Sequence, residues 1–364
     1  MADKANIVHT FVTKTDIPKY ILGRNKYSTE VRKYVDITGY VDEKTSEHIY
    51  EGLPVLHSLF EIPSNAIVLS CVVEGAAWAV EEKLSAWGGL HIDYFSFIKY
   101  SGFPLSIEYW HGFKESYSLN ESMYDEIRSL LKDELSKQTF DRLIKFKLDY
   151  DISQMSDFKM NLNEQYFEPF LDLNPSGESF CDVGGYDGAT TQNFTKHCPR
   201  YDKIYYWEPD PDFMEKSKAT LSDIPNVVYI TKGASDKNET LRFKIDGNAS
   251  RIAEDGEVSI EVGKIDDVIK DRISFIKMDI EGNEIAAISG ARQTILQNHP
   301  KMAICAYHKG DDFVTIPQAI FHIREDYDIY MRHYTQGICE TVMFFVPKSK
   351  ISPVAKINPQ LLNI

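Results

Sequence analysis

Four positions in the chain put chemically able side chains where an apolar run gives way to a turn. Phe180-Cys-Asp-Val-Gly-Gly-Tyr-Asp-Gly-Ala-Thr190 runs to Asp182 and then breaks into Gly184, Gly185 and Gly188. About twenty residues on, Ile204-Tyr-Tyr-Trp207 ends in Glu208-Pro209. Ile273-Ser-Phe-Ile-Lys-Met278 ends at Asp279, with Glu281 and Glu284 close behind, and Met302-Ala-Ile-Cys-Ala-Tyr307 ends at His308. Glycines after a strand permit positive φ and let a ligand approach the backbone closely. An acid at the end of the second strand suits the hydroxyl pair of a ribose. An imidazole beside carboxylates suits proton transfer near neutral pH, with His308 as the first choice of base.

The glycine spacing is not that of a dinucleotide fingerprint, which Gly184, Gly185 and Gly188 do not reproduce. Asp182-Val-Gly-Gly-Tyr-Asp-Gly188 instead fits Asp-x-Gly-x-x-x-Gly, the nucleoside turn of S-adenosylmethionine-dependent methyltransferases. Asp182, Gly184, Gly185, Tyr186, Gly188, Glu208 and Ser235 are then the expected cofactor contacts, with Ser235 and Asp236 near the adenine. Asp279 has three open roles: orienting His308, meeting the methionine ammonium, or coordinating a divalent cation. Asp279, Glu281 and His308 are ligands compatible with Mg²⁺ or Mn²⁺, yet their spacing does not demand a metal. Glu284 has a simpler explanation, since an acid in the first turn of a helix is stabilised by the helix dipole.

These residues need a frame. From residue 171 strand and helix signals alternate, the mark of a doubly wound parallel sheet. Ligands of such sheets lie beyond the carboxyl ends of the strands, so adjacent fourth and fifth strands would bring Asp279 and His308 to one rim. Asp328–Tyr334 and Thr341–Val346 are expected as a closing antiparallel pair, and Thr240–Ile245 with Val258–Val262 as an inserted hairpin carrying Arg251. Arg251 suits an anionic acceptor or, equally, a surface acid. Before residue 113 a smaller Rossmann-like α/β unit is expected, with strands at Pro18–Leu22, Val35–Val41 and Ala66–Val73 and a helix from Ala76 to Trp87. Its first turn has only Gly23, although Asp42 occupies the ribose position. Met123–Phe146 repeats apolar residues at helical spacing and predicts one amphipathic helix. The expected division is 1–112, a helical connector over 113–170 suited to a dimer contact or a lid, and 171–364.

Composition narrows the partners. The 364 residues carry a formal net charge of −15, which repels nucleic acid and anionic membrane. The longest apolar run, Ala66–Val73, is too short to span a bilayer. Five scattered cysteines without Cys-x-x-Cys spacing read as reduced thiols of a cytoplasmic protein.

Taken together, the second half resembles the FkbM family of S-adenosylmethionine-dependent methyltransferases. The resemblance is carried by Phe180–Gly188, Trp207-Glu-Pro-Asp-Pro211, Gly233-Ala-Ser-Asp236, Asn248-Ala-Ser-Arg251 with Lys264-Ile-Asp-Asp267, Ile276-Lys-Met-Asp-Ile-Glu-Gly-Asn-Glu284 and Tyr307-His308. Gln165-Tyr-Phe167 also looks familial. The Asp-Ile-Glu-Gly-x-Glu block is the most specific part, and coverage is about residues 160–348. Tyr186 and Asp187 stand where many members carry Ala-Asn or similar, with all three glycines kept. The resemblance implies a class I methyltransferase fold, S-adenosylmethionine as cofactor, and O-methylation of a sugar, glycan precursor or small secondary metabolite. Two other classes remain open: an NAD(P)-linked nucleotide-sugar enzyme working through Asp42, and an adaptor that keeps the cofactor fold without catalysis.

Overall fold

The computed structural model describes residues 3–244, 251–252 and 254–348. The chain divides into two compact units. The first comprises Met1–Lys114, Phe140–Met160 and Tyr334–Cys339; the second comprises Glu115–Thr139, Asn161–His333 and Glu340–Ile364. Among the described residues no helix is long and apolar enough to cross a membrane.

The first unit holds a six-stranded sheet. Its strands are β1 (Lys19–Leu22), β2 (Gly39–Val41), β3 (Ile49–Tyr50), β4 (Leu53–Leu56), β5 (Ile67–Ser70) and β6 (Leu90–Asp93). Their order is β3-β4-β2-β1-β5-β6. All neighbours run parallel except the β3–β4 edge, so the parallel part has the doubly wound strand order. β5 is buried along its whole length, as its continuous apolar run requires. The helix Ala77–Trp87 stops where Gly88 turns left-handed at φ 81°.

The second unit is built on β7 (Ser179–Val183), β8 (Lys203–Trp207), β9 (Val227–Ile230), β10 (Gly233–Ala234), β11 (Glu239–Lys244), β12 (Arg251–Ile252), β13 (Val258–Gly263), β14 (Phe275–Met278), β15 (Lys301–Cys305), β16 (Tyr327–His333) and β17 (Thr341–Pro347). Seven of these form one sheet in the order β16-β17-β15-β14-β7-β8-β9. β9, β8, β7, β14 and β15 are parallel, while β17 runs antiparallel to both β15 and β16. This mixed α/β sheet with its antiparallel close is the class I methyltransferase arrangement that the sequence implied. The expected hairpin is β11 with β13, and it belongs to a second sheet ordered β10-β13-β11-β12. Of the segment Asn248–Arg251, residues 248–250 lie outside the described residues, as does Ile245.

Aromatic packing fixes β7 against β14 and against the helix that follows the glycine turn. Phe180 stacks on Phe194 of the helix Ala189–His197 at 4.3 Å and on Phe275 of β14 at 5.1 Å. All three are buried. The helix Pro211–Thr220 starts on Asp210, whose carboxylate accepts from the amides of Asp212 and Phe213, with Pro211 at the first helical position.

One expected element is two. The helix foreseen over Met123–Phe146 is broken into Phe113–Leu130 and Glu134–Asp149. Leu131 leaves the helix to bridge Ile329, and the Lys132 amide donates to the Ile329 carbonyl at 2.8 Å. Asp133 then caps the second helix through the Ser136 amide at 2.8 Å, and Arg332 grips the same carboxylate from β16. Periodicity alone continues across residues 131–133. A sheet edge offering hydrogen bonds and a charged cap outweighs it.

Candidate active site

The glycine turn is shaped by what lies behind it. The amides of Gly184 and Gly185 both donate to the carbonyl of Trp207, at 3.1 and 2.9 Å, which folds the end of β7 onto the end of β8. Gly184 has φ 82°, and a Cβ there would lie 1.9 Å from the Asp279 carbonyl oxygen. A Cβ on Gly185 would lie 2.2 Å from the Tyr206 ring. Neither position tolerates a side chain. Gly188 begins the helix Ala189–His197. Asp182, buried inside this frame, accepts from Thr191 Oγ1 at 2.7 Å and is paired with Lys277 Nζ at 3.2 Å.

Lys277 is a residue whose importance sequence reasoning passed over. It sits in the middle of β14, a strand buried throughout, and its ammonium also donates to the Gly184 carbonyl at 2.5 Å. Against the burial that disfavours its charge, Asp182 and Asp279 hold it protonated. Breaking a buried pair of this kind costs about 3–5 kcal/mol. A lysine inside an otherwise apolar strand was the available signal.

Glu208, at the end of β8, is buried with its carboxylate pointing at the turn. Oε2 accepts from the Tyr186 amide and Oε1 from the Asp210 amide, both at 2.9 Å. Two backbone donors fix the carboxylate while leaving it lone pairs for a diol. Burial pushes the group up to about 7, in spite of those donors. Tyr186 has φ 53°, which turns its carbonyl toward Tyr206 Oη and Ser217 Oγ and lays its ring over Phe213 at 4.4 Å. Ser235 is buried with its amide given to the Gly263 carbonyl, and its hydroxyl leans toward Asp236 at 3.4 Å.

At the ends of β14 and β15 the structure brings together Asp279, Glu281, Glu284 and His308. β15 ends at Cys305, so His308 is carried by the turn beyond it rather than by the strand itself. His308 Nδ1 lies 2.9 Å from Glu284 Oε1, an oxygen that also accepts from the Ile280 amide at 3.0 Å. His308 Nε2 faces Asp279 Oδ1 at 3.4 Å and Glu281 Oε1 at 3.7 Å. Glu281 reaches this position because its backbone is left-handed at φ 53°, followed by Gly282 at φ 94°. The expectation of an ordinary imidazole meets an unusual setting here. Burial lowers its basicity, yet Glu284, Glu281 and Asp279 together push it up to about 10. Burial and the neighbouring Asp279 push Glu281 up to about 8, against the opposing pull of His308.

Behind Asp279 lies a group of residues drawn from distant segments. Tyr166 is buried and left-handed at φ 75°, and its hydroxyl donates to Asp279 Oδ2 at 2.8 Å. Gln165 Nε2 donates to that same hydroxyl at 2.9 Å and to Glu340. Glu340 has φ 70°, and burial together with Asp279 pushes its carboxyl up to about 7. Gln165 and Tyr166 were marked in the sequence only as a familial segment, and Glu340 carried no signal at all. Arg251, by contrast, belongs to β12 in the second sheet.

In the first unit, Asp42 does not stand open to a ligand. Its Oδ2 accepts from Arg24 Nε at 2.9 Å and Arg24 Nη2 at 2.8 Å. Arg24, from the turn after β1, is the partner of that carboxylate.

Residues 182–335 match the family profile described as the methyltransferase FkbM domain. A crystal structure of a methyltransferase FkbM from Methylobacillus flagellatus KT superposes with a TM-score of 0.76 at 22% identity, covering 95% of this chain and 93% of that one. An rRNA methylase from Streptococcus thermophilus gives a TM-score of 0.34 at 13% identity over 50% of this chain and 92% of its own. Fibrillarin from Aeropyrum pernix, solved with natively bound S-adenosyl-L-methionine, gives 0.33 at 14% over 47% and 67%. No curated protein matches the chain by sequence. Residues 182–335 thus match the methyltransferase FkbM domain, within a sheet of class I methyltransferase order that also holds the glycine turn and the buried Glu208.

Proposed function

We propose that the protein transfers the methyl group of S-adenosylmethionine to a hydroxyl of a sugar, glycan precursor or small secondary metabolite. Glu208 holds the ribose hydroxyls, Gly184, Gly185 and Gly188 admit the nucleoside, and Asp182 braces the turn from behind. The acceptor docks at the rim formed by Asp279, Glu281 and His308. As the carbon leaves the sulfonium sulfur for the acceptor oxygen, the sulfur becomes a thioether and the hydroxyl proton passes into that carboxylate–imidazole cluster. Much of the catalysis then lies in aligning oxygen, carbon and sulfur.

The observation that carries this reading is the closeness of the two sites: the carbonyl of Asp279 touches Gly184, so the acceptor rim begins where the cofactor turn ends. A chain of net charge −15 favours a small acceptor over a nucleic acid. The buried thiols of Cys71, Cys181, Cys198 and Cys305, which form no disulfide, suit a reducing compartment.

The test is calorimetric titration with S-adenosylhomocysteine, followed by a screen of hydroxylated acceptors for release of that product. Glu208→Ala should weaken binding by about 1.5–3 kcal/mol, the worth of hydrogen bonds to a charged group. A folded Glu208→Ala protein with native affinity would remove the basis for this pose.

A further inference from the structure

The rim contains more order than proton transfer requires. Three residues converge: one donor atom from each of His308, Asp279 and Glu281 lies within 4.8 Å of the other two, and His308 Nε2 faces Asp279 Oδ1 and Glu281 Oε1. The two nitrogen–oxygen separations of 3.4 and 3.7 Å are long for hydrogen bonds. The shorter matches neighbouring vertices around a metal ion, and the longer lies just outside that spacing. Ligands about 2.1–2.2 Å from a common centre, at angles between octahedral and tetrahedral, stand roughly 3.0–3.6 Å apart.

The far side of both Asp279 and His308 is already held. Tyr166 takes Asp279 Oδ2 and leaves Oδ1 turned inward, while Glu284 takes His308 Nδ1 and turns Nε2 toward the two carboxylates. A carboxylate on the outer nitrogen of a histidine is the usual way a protein orients that residue as a ligand. Asp279 Oδ1 is itself buried and accepts no hydrogen bond among the described residues. A carboxylate oxygen in that state costs free energy unless positive charge faces it, supplied either by His308 in its protonated form at 3.4 Å or by a bound cation that replaces that proton. The nearest buried ammonium, Lys277, is turned toward Asp182 and Gly184. Glu281 keeps an uncommon left-handed backbone while its carboxylate stands in the cluster, as residues at binding sites often do. Asp279 and Glu281 retain 22% and 16% side-chain exposure, so the cluster opens to solvent on one side.

We infer that Asp279, Glu281 and His308 form a binding site for one divalent cation of the Mg²⁺–Mn²⁺ class, open on one side to the acceptor hydroxyl. This rests on the rim being the acceptor site. Two carboxylates and one imidazole favour a hard or borderline ion over a soft one. Held there, the acceptor oxygen would meet positive charge that helps it to part with its proton. Tyr166 and Glu284 act through the ligands as positioning residues.

The probe is Mn²⁺ alone, titrated into the chelator-treated full chain. Calorimetry should show one saturable site, and electron spin-echo spectroscopy of the bound ion should show modulation by an imidazole nitrogen. His308→Ala should abolish that modulation, and it and Asp279→Asn should each weaken Mn²⁺ at least tenfold. Tyr166→Phe, which keeps the ring and removes only the hydroxyl, should weaken Mn²⁺ by about tenfold, as loss of an outer partner does. Wild-type protein that saturates with S-adenosylhomocysteine but takes up no Mn²⁺ would overturn the site, as would Mn²⁺ affinity unchanged in all three variants. The wild-type S-adenosylhomocysteine titration is repeated in excess chelator. Its failure there would count against the methyltransferase pose, while the Mn²⁺ result still decides the cation site.

Discussion

Both units hold a parallel sheet of doubly wound order, and in each an acid follows the second strand, yet the two acids are held in opposite ways. After β7 the chain turns on Gly184 and Gly185, packed so tightly that a Cβ would lie 1.9 Å from one neighbour and 2.2 Å from another. After β1 the turn has Gly23 alone, and Arg24 comes next. Glu208 is held by two backbone amides, which position a carboxylate without consuming it. Asp42 is held by two guanidinium nitrogens, which neutralise it. The position of an acid on a doubly wound sheet therefore says little by itself. What holds its oxygens decides whether it is a site or a brace.

The sharpest way to break this comparison is to fill the turn. Gly184→Ala puts a methyl group against the Asp279 carbonyl at a backbone angle that side chains avoid. Overpacking and backbone strain together should weaken S-adenosylhomocysteine about a hundredfold or more. Calorimetry checks this, with circular dichroism to confirm that the variant folds. A Gly184→Ala protein that binds normally would mean the cofactor lies elsewhere.

A smaller effect should appear on changing pH. Burial raises Glu208 to about 7 in the folded protein, above the ordinary carboxyl value. Without ligand, its contribution to stability is present at low pH and is lost as pH rises through 7. Ribose hydroxyls donate into the ionised form, so binding opposes that loss. S-adenosylhomocysteine affinity should therefore rise about tenfold from pH 6 to pH 8, and Glu208→Gln should flatten the profile. A wild-type profile that is already flat would show that ionisation of Glu208 is not linked to binding.

The smallest effect is expected in the first unit. Asp42→Ala removes a partner of Arg24, and S-adenosylhomocysteine affinity should change by less than about twofold, since sites with no shared partners act independently. NADH fluorescence should show no saturable binding to either form of the full chain. Saturation of the wild type with NADH would restore Asp42 as a ribose acid.

The residues that sequence made visible share one property: each is announced by its own segment. The glycine turn, Glu208, Asp279 and His308 all follow apolar runs, and a strand end on a parallel sheet has only one place to point. Tyr166, Gln165 and Glu340 reach Asp279 from outside the strand ends, through backbone angles of +75° and +70° at Tyr166 and Glu340 that no periodicity predicts. Lys277 was legible and passed over, because the strand around it reads as apolar. The broken helix failed for the opposite reason. Its pattern persists through residues 131–133, and the Ile329 edge that interrupts it is nearly two hundred residues away.

The tight contact of Gly184 with Asp279 also sets a timetable. β7 is flanked by β8, made shortly after it, and by β14, whose Phe275 pairs with Phe180 across 95 residues of chain. The lysine that braces the turn and the carbonyl that abuts it both arrive with β14 or just after it. While the protein is being synthesised, β7 therefore has a bare edge until residue 275 has left the ribosome. The glycine turn has its sequence by residue 188 but acquires its packing only once residue 279 is in place.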